Sequence, residues 1–202
     1  MDNGALALIT SFAAMALIVI SYFVKKKEHY LLFQLLGILF LIASYFFTVQ
    51  FFAMIGMVVG AFRTVTFFLY EKKGKKAPIA WAFLFSALSL ASYLIVNLVI
   101  LGSAQPLDLL FLVGLVGYAF IFRIRSLKIV RFTMFVPLAL CVLFNALSDA
   151  ALFTTLSYSF ELGANVVSIL KYHVFGQKKN KKPKEQKEQA YGKAYDHMEI
   201  KG

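Results

Sequence analysis

Long apolar runs separated by short polar or basic segments make up most of this 202-residue chain. A helix needs about 20 apolar residues to cross the roughly 30 Å hydrocarbon layer of a bilayer. The pattern therefore predicts seven membrane-spanning helices. Their ranges are about 4–24, 30–47, 51–70, 79–101, 107–122, 132–147 and 150–172. Residues 48–50 are the least apolar point of the long run from 30 to 70, so we expect the turn between spans two and three there.

Basic residues follow every second span, whereas the other connections are neutral or acidic. Because cytoplasmic loops carry an excess of lysine and arginine, this alternation predicts an external N-terminus and a cytoplasmic C-terminus. It also accounts for the net charge of +11 without nucleic acid as a partner. The first span is followed by Lys25, Lys26 and Lys27, the reverse of the charge order in a secretory signal, so we expect it to be retained.

The order of spans and loops repeats along the chain. Residues 4–70 and 107–172 each form three spans with a basic loop after the first and a basic end after the third. The turn before the third span is neutral in the first triplet and acidic in the second, and the span at 79–101 joins the two triplets. Because this linker crosses the membrane once, both triplets enter from the same side. The predicted fold is an all-α integral membrane protein in which residues 1–174 form two parallel three-helix repeats around a linker helix.

Residues 175–202 are predicted to be a basic, disordered cytoplasmic tail. Its cluster of positive charge consists of Lys178, Lys179, Lys181, Lys182 and Lys184. These lysines could serve only to keep the tail in the cytoplasm, or they could bind anionic lipid head groups. Both interpretations stay open at this point.

Two ionisable residues, Arg63 and Glu161, are expected well inside spans. A charge near the bilayer centre costs about 2.5–3.5 kcal/mol on insertion scales, so each should have a partner or face a wet cavity. Counted from the cytoplasmic ends of their spans, the two lie at depths that differ by a few Å, which allows an ion pair. The alternatives are an arginine that extends to the cytoplasmic interface and a neutral, internally hydrogen-bonded glutamic acid.

Span seven carries a stripe of polar residues at helical spacing. Its members are Thr154, Ser157, Tyr158, Glu161, Asn165, Ser168 and Tyr172. Such a stripe is typical of a helix that lines a cavity, or of one that hydrogen-bonds to its neighbours in a dry bundle. The candidate residues for solute binding or coupling are Arg63, Glu161, Asn165, Ser157, Tyr158, Asn145 and Asn97.

Small residues and one proline also have predicted roles. Gly56 and Gly60 in span three indicate close helix packing, or clearance for a solute beside Arg63. Pro137 in span six indicates a kink. The small-residue faces would also permit oligomerisation.

Signals for cofactor chemistry are lacking. The histidines His29, His173 and His197 have no ligand-like spacing, and the single cysteine, Cys141, excludes a disulfide within the chain. Paired carboxylates and a nucleophile beside a base are also lacking. We therefore expect no metal, no cofactor and no enzymatic activity.

The segment GAFRTVTFF at 60–68, the short basic loop after span one and the last helix with Glu161 and Asn165 together resemble the YgjV family of bacterial inner-membrane proteins. The resemblance covers about Lys25 to Tyr172 and implies a multi-pass protein of the bacterial cytoplasmic membrane. The 3+1+3 layout is also similar to that of SWEET and PQ-loop transporters, although this chain has no Pro-Gln motif in spans one, two, five or six.

Two functions remain in competition. In a small-solute transporter the repeats would rock about a midplane site. There Arg63 would hold an anionic group or the Glu161 carboxylate, and Glu161 would be the proton or cation partner. In a non-transporting scaffold or partner-binding subunit, the same polar residues would be structural.

Overall fold

The computed structural model describes residues 3–100, 102, 106–148 and 152–175, and every regular element in these ranges is helical. The helices are α1 (Asn3–Phe23), α2 (Lys27–Phe47), α3 (Phe51–Lys72), α4 (Ile79–Leu94), α5 (Asp108–Ile121), α6 (Leu127–Thr133), α7 (Phe135–Leu147) and α8 (Leu152–Ile169). π-Helical turns extend α4 through Ile95–Ile100 and α8 through Leu170–Phe175.

The chain divides into two compact units, residues 1–165 and 166–202. The first contains α1 to α7 and most of α8. In the described part of the second, the Lys171 ammonium lies 5.4 Å from the centre of the Tyr172 ring. The predicted tail and its lysines lie outside the described residues.

Five helices of the described chain are long and apolar enough to cross a membrane, which supports the prediction of a membrane protein. They cover Asn3–Phe23, Lys27–Phe47, Ala53–Lys72, Ile79–Val99 and Leu127–Leu147. The shorter α5 is also apolar. Large apolar side chains cover the outer surface, as expected where lipid replaces water: Phe62 is 66% exposed and Val99 is 76% exposed.

The sixth predicted span begins earlier than expected, at Leu127 rather than near 132, and it consists of α6 and α7. The α-helix is interrupted at Met134, three residues before Pro137. Proline has no N–H to donate to the carbonyl of Thr133, and its ring clashes with that carbonyl. The α-helix is thus interrupted near Pro137, where the sequence predicts a kink.

α1 packs on α2 and α2 on α3, while α5 packs against both α4 and α7 and α3 contacts α4 and α5. A Cβ atom at Gly56 would lie 2.8 Å from Leu115 Cδ1, so this glycine allows α3 to approach α5 closely. A Cβ atom at Gly60 would lie 3.3 Å from Arg63 Nη2. Gly60 therefore leaves room for the guanidinium of Arg63 itself.

The turn between α2 and α3 lies at residues 48–50, as predicted, and it is a Schellman motif. Val49 N–H donates to Phe46 O at 3.3 Å and Gln50 N–H to Tyr45 O at 3.1 Å. Val49 therefore adopts a left-handed conformation with φ 58°. α3 ends in the same motif, where Gly74 has φ 65°.

We predict that Val49→Gly raises the free energy of unfolding by about 1 kcal/mol. A Cβ atom in the left-handed region costs about 1–2 kcal/mol, and glycine returns part of this gain as backbone entropy. Gly74→Val, at the same position of the same motif, should lower stability by a similar amount. Thermal unfolding of both variants in one detergent measures the difference, and midpoint shifts of the same sign would contradict it.

Candidate functional site

The Glu161 carboxyl group lies inside the bundle and is 2% exposed. It accepts a hydrogen bond from the Tyr22 hydroxyl of α1 at 2.9 Å and another from Gln34 Nε2 of α2 at 3.2 Å. Both bonds fall on Oε1, so Oε2 receives none from the residues that the structure describes. The carboxyl group thus connects α8 with α1 and α2 through one of its two oxygens.

A second layer of hydrogen bonds supports these donors. Gln34 Nε2 also donates to Ser21 Oγ at 3.1 Å, and Ser21 Oγ donates to Ile18 O at 2.6 Å. The Tyr30 hydroxyl lies 3.5 Å from the Tyr22 hydroxyl, and the two rings pack edge to face at 5.5 Å. Because Tyr22, Tyr30, Gln34 and Ser21 are all buried, the donors are held in place by packing as well as by hydrogen bonds.

Tyr22 and Gln34 are not among the residues that the sequence pattern predicts for this site. Gln34 is the one amide side chain between residues 30 and 47, and this isolated polar residue in an apolar run was an available signal. Tyr22 gave none, because tyrosine near the end of a span usually lies at the membrane interface.

Arg63 of α3 is also buried, with 3% exposure. Its Nη1 donates to Leu115 O of α5 at 2.8 Å, and its guanidinium carbon lies 5.3 Å from the ring centres of Tyr118 and Phe122. A guanidinium at this distance from aromatic faces is stabilised by cation–π interaction. The Arg63 guanidinium is therefore buried against α5 and does not reach the surface of the protein.

Arg63 and Glu161 do not form the ion pair that the sequence allowed. The salt bridge found within the described residues joins Lys27 Nζ and Glu71 Oε2 at 2.9 Å. The physical reason is that each buried group already has other partners, a carbonyl and two rings for Arg63 and two neutral donors for Glu161.

Arg63 and Glu161 nevertheless line the same internal cavity, together with Gln34, Tyr118 and Tyr158. Its volume is about 20 Å³. A cavity of this size holds about one water molecule. In this conformation the two ionisable groups therefore face a cavity with room for about one water molecule.

The polar stripe of span seven faces inward, as its spacing predicted. Thr154, Ser157, Tyr158 and Asn165 are all buried. The Tyr158 hydroxyl is 3.9 Å from Met57 Sδ at the cavity. The last two predicted members of the stripe, Ser168 and Tyr172, belong to the second unit.

The remaining candidate residues do not line this cavity. Ser157 Oγ donates to Ser11 O at 3.3 Å, and Asn165 Nδ2 donates to Arg131 O at 2.9 Å. Asn145 Nδ2 donates to its own helix, at Cys141 O, over 2.7 Å, and its Oδ1 accepts from the Tyr45 hydroxyl at 3.1 Å. Asn97 Nδ2 donates to Tyr93 O at 3.2 Å. Their roles in binding a solute stay predictions.

The predicted spans at 107–122 and 132–147 place Arg131 in the basic connection between them, and this prediction is wrong. It lies in α6 with 3% exposure, and its Nη2 donates to Tyr22 O at 2.9 Å and to Val24 O at 2.8 Å. A cation is favourable at these carbonyls, because they form the negative end of the α1 dipole. Arg131 therefore joins α6 to the end of α1, next to the residue that binds Glu161.

We predict that Arg131→Gln lowers the free energy of unfolding by at least about 2 kcal/mol, because charge-assisted hydrogen bonds contribute about 1.5–3 kcal/mol each. Lys128→Gln is the matched control, since it removes an exposed positive charge from the same short helix. Thermal unfolding in detergent gives both values. Equal shifts for the two variants would show that α6 needs only the charge and not the contact with α1.

Comparison with protein-family models, with curated proteins and with solved structures gives no match to this chain. A proposal of function therefore rests on the residues of this chain and their contacts. Its centre is a buried carboxyl group and a buried guanidinium that face one cavity without neutralising each other.

Proposed function

We propose that this chain is a small-solute carrier of the bacterial cytoplasmic membrane, with seven spans, an external N-terminus and two parallel three-helix repeats. In this arrangement α1 to α3 form the first repeat and α4 is the linker. The second repeat consists of α5, of α6 and α7 together as one span, and of α8. The charge alternation of the loops and the resemblance to the YgjV and SWEET families support this layout.

The observation that carries the proposal is the shared cavity of Arg63 and Glu161. A bundle that needed polar contacts only for stability could use neutral side chains, which are less costly to bury than ionisable ones. Two ionisable groups of opposite sign that face one cavity and do not pair are suited to bind something else. Arg63 would hold an anionic group of the solute, and Glu161 would exchange a proton or bind a cation.

The hydrogen bonds of Glu161 indicate how a proton could be coupled to movement. An ionised carboxylate only accepts hydrogen bonds, whereas a protonated one can also donate. Tyr22 and Gln34 in the first repeat both donate to this group on α8. A change of its protonation therefore alters contacts between the two proposed repeats, and so biases their relative arrangement.

Two observations favour the alternative, a scaffold without transport. The cavity of about 20 Å³ has no room for a solute, and the hydrogen bonds of Glu161 bridge three helices as structural contacts would. The two functions differ in one respect that does not require a known substrate. A carrier must expose its cavity to water on each side of the membrane, and a scaffold need not.

Accessibility of Ile38, which lines the cavity and is 5% exposed, tests this difference. We predict that Ile38→Cys, in a Cys141→Ala background, reacts with a membrane-impermeant thiol reagent applied from either side of oriented vesicles. Leu39→Cys, which points outward at 50% exposure, is the matched control and should react little because it faces lipid. If Ile38→Cys reacts from one side only or from neither side, although the unfolded protein reacts fully, the result would favour the scaffold.

The role of Glu161 is tested in the same background. We predict that the labelling rate of Ile38→Cys depends on pH and that Glu161→Gln removes this dependence. Each rate is first corrected for the labelling rate of the unfolded protein at the same pH. Glu28→Gln removes a carboxylate near the membrane surface and should leave the pH dependence intact. If the pH dependence survives in a folded Glu161→Gln protein, Glu161 is not the coupling group.

A further inference from the structure

A groove opens on the outer side of α3 and the beginning of α4, away from the internal cavity. Its lining residues are Thr66, Leu69, Tyr70, Lys73, Lys75 and Trp81. Its volume is about 450 Å³, far more than the 20 Å³ of the cavity beside Glu161. The groove can therefore accept a molecule of considerable size without any movement of the helices.

One wall of the groove is aromatic and held in place. Trp81 Nε1 donates to the Tyr70 hydroxyl at 3.2 Å, and the Trp81 ring stacks on Phe85 at 5.8 Å with 24° between the planes. The Tyr70 hydroxyl accepts this bond and so keeps its own hydrogen for a ligand. Tryptophan and tyrosine are enriched at the level of lipid head groups, which places the groove at the membrane surface.

The two ends of the groove differ in polarity. Leu69, which is 48% exposed, lies on the outer face of α3 toward the hydrocarbon. Lys73 and Lys75 are exposed in the loop that follows α3. The nearby Glu71 carboxylate is engaged by Lys27 at 2.9 Å, and neither groove lysine forms a salt bridge with any residue in the described ranges. Two positive charges therefore stand beside an apolar surface without a counter-charge.

We propose that this groove binds a phospholipid with an anionic head group. The lysines bind the phosphate, the Tyr70 hydroxyl donates to a phosphate or glycerol oxygen, and an acyl chain lies along Leu69. A soluble phosphate would use the lysines but leave the apolar end empty, so the shape and polarity together favour a lipid. This site is separate from the lysines of the tail, and it does not depend on whether the chain carries a solute.

The chain provides its own probe, because Trp81 is the single tryptophan. Brominated acyl chains quench tryptophan fluorescence on contact. The protein is placed in phosphatidylcholine vesicles that contain, at equal mole fraction, either brominated phosphatidylglycerol or brominated phosphatidylcholine. We expect stronger quenching by the anionic lipid. Equal quenching by the two lipids would overturn the proposal.

Removal of the charges tests the site itself. The two lysines together account for a preference of roughly thirtyfold, or about 2 kcal/mol at about 1.4 kcal/mol per factor of ten, and Lys73→Gln/Lys75→Gln should remove most of it. Lys72→Gln/Lys76→Gln removes the same charge from the last residue of α3 and from the loop that follows it, without touching the groove, and should retain most of the preference. Equal losses in the two double variants would show diffuse attraction to a basic surface and would overturn a defined site.

Two further measurements complete the test. Inorganic phosphate added to the aqueous phase should leave the quenching by brominated phosphatidylglycerol unchanged at constant ionic strength. If it abolishes the quenching, the occupant is a soluble anion and not a lipid. The elution profile of each double variant in detergent shows whether the variant folds. The salt dependence needs no variant: a rise in ionic strength should reduce the preference of the wild-type protein for phosphatidylglycerol.

Discussion

The cost of placing an ionisable side chain in hydrocarbon constrains how these helices are arranged. Apolar surfaces alone do not select helix neighbours in a membrane, because lipid tails solvate leucine as well as another helix does. Glu161 requires donors and Arg63 requires an acceptor, and these come from other helices: from α1 and α2 for the acid, and from α5 for the base. Each buried charge thereby determines which helices lie side by side.

The helical class and most span boundaries follow from the sequence because their causes are local. Three features have effects that are confined to the neighbouring residues of the chain. They are the length of an apolar run, the turn at residues 48–50 and the missing N–H of Pro137. Arg131 is different. Its burial depends on carbonyl groups at the end of α1, which lie far away along the chain, and a run of basic residues contains no information about which member turns inward.

The candidate site was also predictable only in part: its two ionisable residues could be found from the sequence, and their neutral partners could not. A charge in an apolar run is conspicuous because it is costly to bury, so Arg63 and Glu161 could be found from the sequence alone. Tyr22 and Gln34 are neutral and cheaper to bury, so their contribution emerged only from the packing of the helices. Similar depth in the membrane was necessary for an ion pair but not sufficient, because the direction of each side chain around its helix is set by neighbours from elsewhere in the chain.

Tyr22 has one more property that bears on how the bundle could open. Its side chain is bound to α8 through Glu161, and its carbonyl oxygen is bound to α6 through Arg131. A sliding movement of α1 would act on both bonds together. One residue therefore links the position of α1 to α6 through its backbone and to α8 through its side chain.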